Sequence, residues 1–281
     1  MRPSPFAYSK PRNLTDALEL MNNGAIPIAG GQSLLQGMRL RTEHPSAVVD
    51  ISELNELSAS IELSRDYVTV GALVTHRAFL EDEAINNEFP WLAKAARDLG
   101  DVQVRNRGTV LGNVCWADPR ANLCVALLAS GAKVLVAGTE QETISIEDFF
   151  LGYRRNALSG RLAGSIRLTR HAQAIGSYQE FSRQTQDLAL CNVCVVHNER
   201  GTAIAIGGIH QQPVRLGNLE RILSKPDSTI KNLNSDIVAS LDEMSLTPII
   251  DHHGTPEFKL DVAATLIERA INQCMRGGDH V

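Results

Sequence analysis

Apolar residues recur at helical spacing through residues 13–23, where Leu14, Ala17, Leu18 and Met21 share one face and Gly24 closes the segment. A capped amphipathic helix is predicted there. Residues 25–29 form a short apolar run, read as a buried strand entering the turn Gly30-Gly31. A short helix over 33–40 and a strand over 47–51 would complete a βαβ-like opening. Two β-like runs follow at 60–63 and 67–73, separated by Ser64-Arg65-Asp66, a hairpin turn in composition. Helices are predicted at 75–80 and 91–99. Residues 100–121 are rich in Gly, Asn, Asp and Arg and show no amphipathic period, so a long loop is expected. A helix at 126–130 and strands at 132–136, 143–146 and 166–168 come next.

From about residue 175 the pattern changes to consecutive strands, at 177–183, 189–197, 202–209 and 213–216, and then to helices. Strands grouped before helices indicate a separate α+β unit. The last helix, from Glu257 onward, carries Leu260, Ala263, Ile267, Ala270, Ile271 and Cys274 on one face, which should dock on that sheet.

With 281 residues, 43% of them hydrophobic, the chain can bury a sizeable core as one large domain or two modest ones. A formal net charge of -5, without a basic run, speaks against nucleic acid as a partner. No apolar stretch approaches membrane-spanning length, and Met1-Arg2-Pro3-Ser4-Pro5 is not a charged start followed by an apolar run. A cytoplasmic, soluble protein is expected. Its five cysteines, Cys115, Cys124, Cys191, Cys194 and Cys274, are an odd number in a chain too long to need staples, so reduced thiols are expected. Cys191-Asn192-Val193-Cys194 has metal-ligand spacing but lies in an apolar run. Residues three apart on a strand point to opposite faces, which disfavours chelation of one ion.

Chemistry concentrates in two segments, Ala29-Gly30-Gly31-Gln32-Ser33 and Thr109-Val110-Leu111-Gly112-Asn113. Glycine permits positive φ and close backbone approach, and successive free amides make concave anion sites. Two such segments could hold the two phosphates of a pyrophosphate, although each alone also suits an ordinary turn. Neither G-x-G-x-x-G nor G-x-x-x-x-G-K-[ST] is present, so a Rossmann fingerprint and a P-loop are both excluded.

These segments belong to a longer series. Phe6-Ala7-Tyr8-Ser9-Lys10-Pro11 is followed by AGGQSLL at 29–35, VGALVTH at 70–76, QVRNRGTVLGN at 103–113 and ADPRAN at 117–122. FFLG at 149–152, IGGIHQQPVR at 206–215 and DHHGTPEFK at 251–259 complete it. In this order they resemble the FAD-binding medium subunit of carbon monoxide dehydrogenase, xanthine dehydrogenase and related molybdenum hydroxylases, over nearly the whole chain. The resemblance implies an α+β fold: a bipartite FAD-binding domain of the PCMH or vanillyl-alcohol-oxidase-like type at 1–173, its two α/β subdomains meeting near 55–60, and a smaller β-sheet-plus-helix domain at 174–281. It implies an oxidoreductase subunit that holds FAD and passes electrons from a small [2Fe-2S] subunit, fed by a large molybdopterin subunit, to an external acceptor. The assembly would be a dimer of heterotrimers, with molybdopterin and both clusters outside this chain.

By the same resemblance, Ala29, Gly30, Gly31, Gln32 and Ser33 together with Thr109, Val110, Leu111, Gly112 and Asn113 would wrap the FAD pyrophosphate and ribityl chain. Asn122 stands where relatives carry an Asp that hydrogen-bonds the cofactor. Leu168 matches an apolar position at the adenine or flavin edge, and Arg183, expected on the strand 177–183, a basic residue that contacts the cofactor. Departures accompany these matches. Leu111 replaces a Gly and would crowd the phosphates if its φ were positive. Gln184 replaces a second basic residue, Phe258-Lys259-Leu260 a Tyr-Arg-Arg stretch, and Ser159-Gly160-Arg161 lacks an expected acid.

Other groups suggest bland roles. His76 should be solvated at the start of a surface helix, Asp118 and Asp187 should cap or turn, and His252-His253 are neighbours unable to converge on one ion. Trp116 could cover the cofactor. Two further functions stay open, a self-contained flavin oxidoreductase and a structural subunit that keeps the fold without FAD.

Overall fold

A computed structural model describes residues 2–139, 142–184, 186–224, 233–244, 246, 248 and 254–279. The pair His252-His253 and the first three residues of the DHHGTPEFK motif lie outside these. The chain opens with β1 (Ala7–Ser9), α1 (Leu14–Asn22), β2 (Ile26–Ile28), α2 (Leu34–Leu40) and β3 (Ala47–Asp50). Helix α1 starts where the Asn13 side chain accepts from the Asp16 amide, and Gly24 reverses the chain at φ +93°. Both β1 and β2 pair parallel with β3, so the expected βαβ unit is present with one strand added.

The next elements are β4 (Ile61–Leu63), β5 (Tyr67–Gly71), α3 (His76–Glu81), α4 (Glu83–Glu88) and α5 (Pro90–Arg97). Then come α6 (Val102–Arg107), α7 (Val110–Trp116), α8 (Asn122–Ala129), β6 (Lys133–Val136), β7 (Thr143–Ser145), α9 (Ile146–Phe149), β8 (Phe150–Gly152), β9 (Arg155–Asn156) and β10 (Ala163–Thr169). Strands β4 and β5 form the expected hairpin within an antiparallel sheet ordered β4-β5-β10-β6-β7. The long loop expected over 100–121 is instead the two short helices α6 and α7. Side-chain caps define both: Asp101 accepts from the Val104 amide and Thr109 from the Gly112 amide. Helices this short need no amphipathic stripe, because caps and neighbours supply what periodicity does not.

The remainder is β11 (Ile175–Phe181), β12 (Cys191–Asn198), β13 (Gly201–Gly207), β14 (Val214–Arg215), α10 (Gly217–Leu223), α11 (Leu233–Glu243) and α12 (Pro256–Met275). The four strands form one antiparallel sheet in sequence order. Strand β12 is buried on both faces, which accounts for its unbroken apolar run. Cys191, Val193 and Val195 enter a core beneath α10, α11 and α12, while Cys194 and Val196 enter the principal core. The two thiols of the C-x-x-C therefore lie on opposite faces of the sheet. Ala263, Ile267, Ala270, Ile271 and Cys274 of α12 are buried in the second core, as their spacing requires.

Helix α8 connects the halves. It is apolar all round, and every residue from Asn122 to Ala129 is buried, so it is enclosed on all sides. It runs from Asn122, four residues earlier than periodicity alone locates it. Beside it, the fully buried Trp91 donates from its indole nitrogen to Ser130 Oγ at 2.9 Å. Its ring occupies the space of a side chain at Gly176, where a Cβ would come within 2.3 Å. Near the carboxyl end, the Asp279 carboxylate accepts from Lys94 Nζ (3.0 Å), Gln273 Nε2 (2.7 Å) and the Tyr178 amide (2.6 Å). One buried carboxylate thus joins α5, β11 and α12. Removing it leaves three donors without their acceptor, so Asp279→Ala should cost about 3 kcal/mol in urea-monitored unfolding, with α12 the first element to lose amide protection.

Candidate functional site

The turn between β2 and α2 is built around Gly31 at φ +74°, where a Cβ would also press to 2.9 Å of Leu35 Cδ1. Gln32 Nε2 donates to the Gly30 carbonyl at 3.3 Å. Among the described residues, the amides of Gly30, Gly31, Gln32 and Ser33 have no acceptor. Gly30 itself rests on the link between α6 and α7: a Cβ there would lie 2.0 Å from the carbonyl oxygen of Arg107. The first segment singled out by composition is therefore in backbone contact with residues 107 and 108, which lead directly into the second.

The second segment is the amino-terminal cap and first turn of α7 rather than a loop. Val110 N donates to the Val74 carbonyl at 3.0 Å, and Thr109 Oγ1 accepts from Gly112 N at 3.1 Å. The Leu111 amide has no acceptor among the described residues. Leu111 does not adopt positive φ, and its side chain is buried in the principal core. The crowding expected from it does not arise, because the helical turn sends the side chain inward and leaves the amide bare. Gly112 is exposed, and the buried Asn113 Oδ1 has no hydrogen-bond partner among the described residues. Five unsatisfied amides and one orphaned acceptor suit a ligand with both anionic and hydroxyl groups.

His76 was expected in solvent and is instead 2% exposed, roofed by the α6–α7 link. Its amide donates to the Gly108 carbonyl at 2.9 Å, while a Cβ on Gly108 would lie 3.1 Å from the imidazole Cδ2. Nδ1 has no partner among the described residues, and burial reinforced by the nearby Arg105 lowers the pKa to about 4, so the ring is neutral.

Beyond α6 a cleft of about 560 Å³ opens between the end of α5, α6 and the segment following β11. Its walls are Arg97, Asp98, Gly100, Arg105, Glu180, Ser182, Arg183, Gln184 and Gln186, with no apolar side chain among them. Arg183 lies past the end of β11, not on the strand as expected, because that strand stops at Phe181. Position 122 reaches the cleft indirectly. The Asn122 amide donates to Glu180 Oε2 at 2.6 Å and to the Ala95 carbonyl at 3.3 Å, and its oxygen accepts from Asn192. Tyr178 donates to the same Glu180 oxygen at 2.9 Å. An Asp at 122 would set two carboxylates in contact, so the Asn is matched to Glu180. Burial, with Asp98 adding to it, raises the pKa of Glu180.

Leu168 lies apart from both places, fully buried on β10 opposite Val68. Trp116 packs with Leu34 and Met38 of α2, its ring covered by the Arg154 guanidinium at 4.6 Å. Arg154 also reaches Glu43 and the buried Asp118, tying the ends of α2 and α7 together. Composition had not singled out His76 as buried, nor Arg97, Arg105, Glu180 or Arg154 at all. The alternation in β11, which puts Tyr178 and Glu180 on one face, was the one local signal for any of them.

Residues 4–168 match the family described as FAD binding domain in molybdopterin dehydrogenase, and residues 176–274 the CO dehydrogenase flavoprotein C-terminal domain. The chain is 30% identical to the glyceraldehyde dehydrogenase medium chain of Sulfolobus acidocaldarius, over 97% of this chain and 99% of that one. It is also 30% identical to the nicotine 6-hydroxylase medium subunit of Paenarthrobacter nicotinovorans, over 96% and 98%. A solved carbon monoxide dehydrogenase from Hydrogenophaga pseudoflava superposes with a TM-score of 0.89 at 26% identity, covering 99% of this chain and all of that one.

The neutral His76 makes stability depend on pH in a definite direction. Its folded pKa lies below that of the unfolded chain, so the unfolded state gains protons first and stability is lost as pH falls from about 6.5 to about 4. The loss from this group should total roughly 3 kcal/mol and level off at lower pH. Thermal unfolding of wild type and His76→Gln across this window should show the slope reduced in the variant.

Proposed function

Because this chain belongs to the family of FAD-binding medium subunits of molybdenum hydroxylases, we propose that it relays electrons from an iron–sulfur subunit through bound FAD to an external acceptor. The observation that carries the cofactor assignment is the contact between the glycine turn and the α6–α7 link, beside which five amides of the turn and of the start of α7 lack acceptors among the described residues. In this reading Ala29, Gly30, Gly31, Gln32 and Ser33 face Thr109, Val110, Leu111, Gly112 and Asn113 across the pyrophosphate and ribityl chain. The amides would bind the phosphates, and Asn113 Oδ1 would accept from a ribityl hydroxyl. Arg183 on the cleft wall would contact the redox end of the cofactor, and Asn122 would act by holding Glu180. Leu168 contributes packing behind the sheet. FAD, when bound, supplies the electron transfer itself; the chain supplies position and electrostatics.

The reading extends to the assembly. A large molybdopterin subunit and a small [2Fe-2S] subunit would join this chain in a cytoplasmic dimer of heterotrimers. Its support is that the relatives are medium chains and subunits of dehydrogenase complexes. No helix among the described residues is long and apolar enough to cross a membrane. Within the chain, we place the division between the FAD-binding domain, 1–173, and the second domain, 174–281, in the link between β10 and β11, which is also where the two family matches part.

Titration of the purified chain with FAD tests the assignment. Wild type should bind FAD and show a flavin spectrum, and Gly31→Ala should weaken binding at least about tenfold. A side chain at φ +74° costs about 1–2 kcal/mol and tilts the amides away. Wild type that stays colourless contradicts the relay and favours the structural subunit. A flavin-bearing chain that copurifies with neither partner favours the self-contained oxidoreductase.

A further inference from the structure

We propose that Glu180 exchanges a proton with the cofactor in the cleft, an inference that rests on the cofactor assignment above. Glu180 is the one carboxylate of the cleft held by internal donors: Oε2 accepts from both Tyr178 and Asn122, at 2.9 and 2.6 Å. Oε1 has no hydrogen-bond partner among the described residues, while the residue forms part of the cleft wall. One oxygen is therefore fixed from behind and the other is available to a ligand, the arrangement a general acid or base needs. The structural alternative, a carboxylate present only to complete a buried network, leaves Oε1 unused and the group on the wall of a cavity unexplained.

The surroundings balance the two protonation states. From α5, Lys94 favours the carboxylate while Asp98 disfavours it; Tyr178 and Asn122 favour the carboxylate through hydrogen bonds, and burial opposes it most strongly. Arg97, Arg105 and Arg183 line the same cleft. The fully buried Tyr178 has its own pKa pushed well up by burial and by Glu180, so no proton leaves through the phenol. The cleft is the remaining route to solvent.

The step balances. As two electrons reach the cofactor from the iron–sulfur partner, Glu180 breaks its O–H bond, transfers that proton to a ring nitrogen, and takes another from solvent through the cleft. When the electrons leave to the external acceptor, Glu180 first releases its proton to solvent through the cleft, and the resulting carboxylate takes the ring proton back.

The test uses the full chain loaded with FAD and the variant Glu180→Gln, which retains shape and hydrogen-bonding capacity without titrating. FAD affinity should change by less than about tenfold. The break in the pH dependence of the cofactor's midpoint potential should vanish, and proton uptake on rapid reduction, followed with a pH indicator, should slow by about a hundredfold. An unchanged potential profile with unchanged uptake overturns the inference and leaves the FAD assignment standing. Failure of wild type to bind FAD overturns both. If Glu180→Gln does not fold, Glu180→Asp replaces it: a displaced break supports the inference, and a profile identical to wild type overturns it.

Discussion

The arrangement of this protein depends on a close approach between two backbones. Gly30 lies so near the Arg107 carbonyl that any side chain would hold the β2–α2 turn away from the α6–α7 link. The approach sets the bare amides of the turn beside the link that leads into α7, and both sides are held from behind. Arg154, stacked on Trp116 and paired with Glu43 and Asp118, fixes α2 against α7. The hydrogen bonds of His76 N and Val110 N fix the link against the end of β5. A neutral, buried imidazole suits this role because it fills space under the link without adding a charge beside the glycine turn.

The cleft illustrates how one substitution takes its meaning from another. Seen alone, Asn122 is a lost charge relative to the resembled family. In the fold it is the donor required by Glu180, and an acid there would oppose a second acid across a short contact. Leu111 is similar. It replaces a Gly in a motif, yet the helical conformation of α7 turns its side chain into the core and leaves its amide without an acceptor among the described residues. Neither departure removes a group that the proposed cofactor needs.

Much of the architecture was legible from periodicity. The βαβ opening, the hairpin of β4 and β5, the sheet of β11 to β14 and the buried face of α12 follow from spacings of two or three to four residues, which local backbone geometry imposes. The helices α6 and α7 were not legible, since their residues are largely polar and their ends are set by the single caps Asp101 and Thr109. The glycine segments could be named as anion sites, but the contact of the first with the link before the second joins positions 30 and 107 and has no local signal. The same holds for Glu180, whose partner Asn122 is 58 residues away, and for His76, whose burial is produced by a helix link formed thirty residues later. Side chains that act through tertiary contact leave little trace in a linear pattern.

The central claim is that the glycine turn, the first turn of α7 and the cleft form one continuous site for FAD. Hydrogen exchange of the purified chain with and without FAD tests it most directly, because the claim concerns particular unsatisfied amides. The account predicts slowed exchange at Gly30, Gly31, Gln32, Ser33 and Leu111, accompanied by slowed exchange at Ser182 to Gln184. Protection confined to other parts of the chain, or none at the glycine turn when FAD is bound, would contradict it.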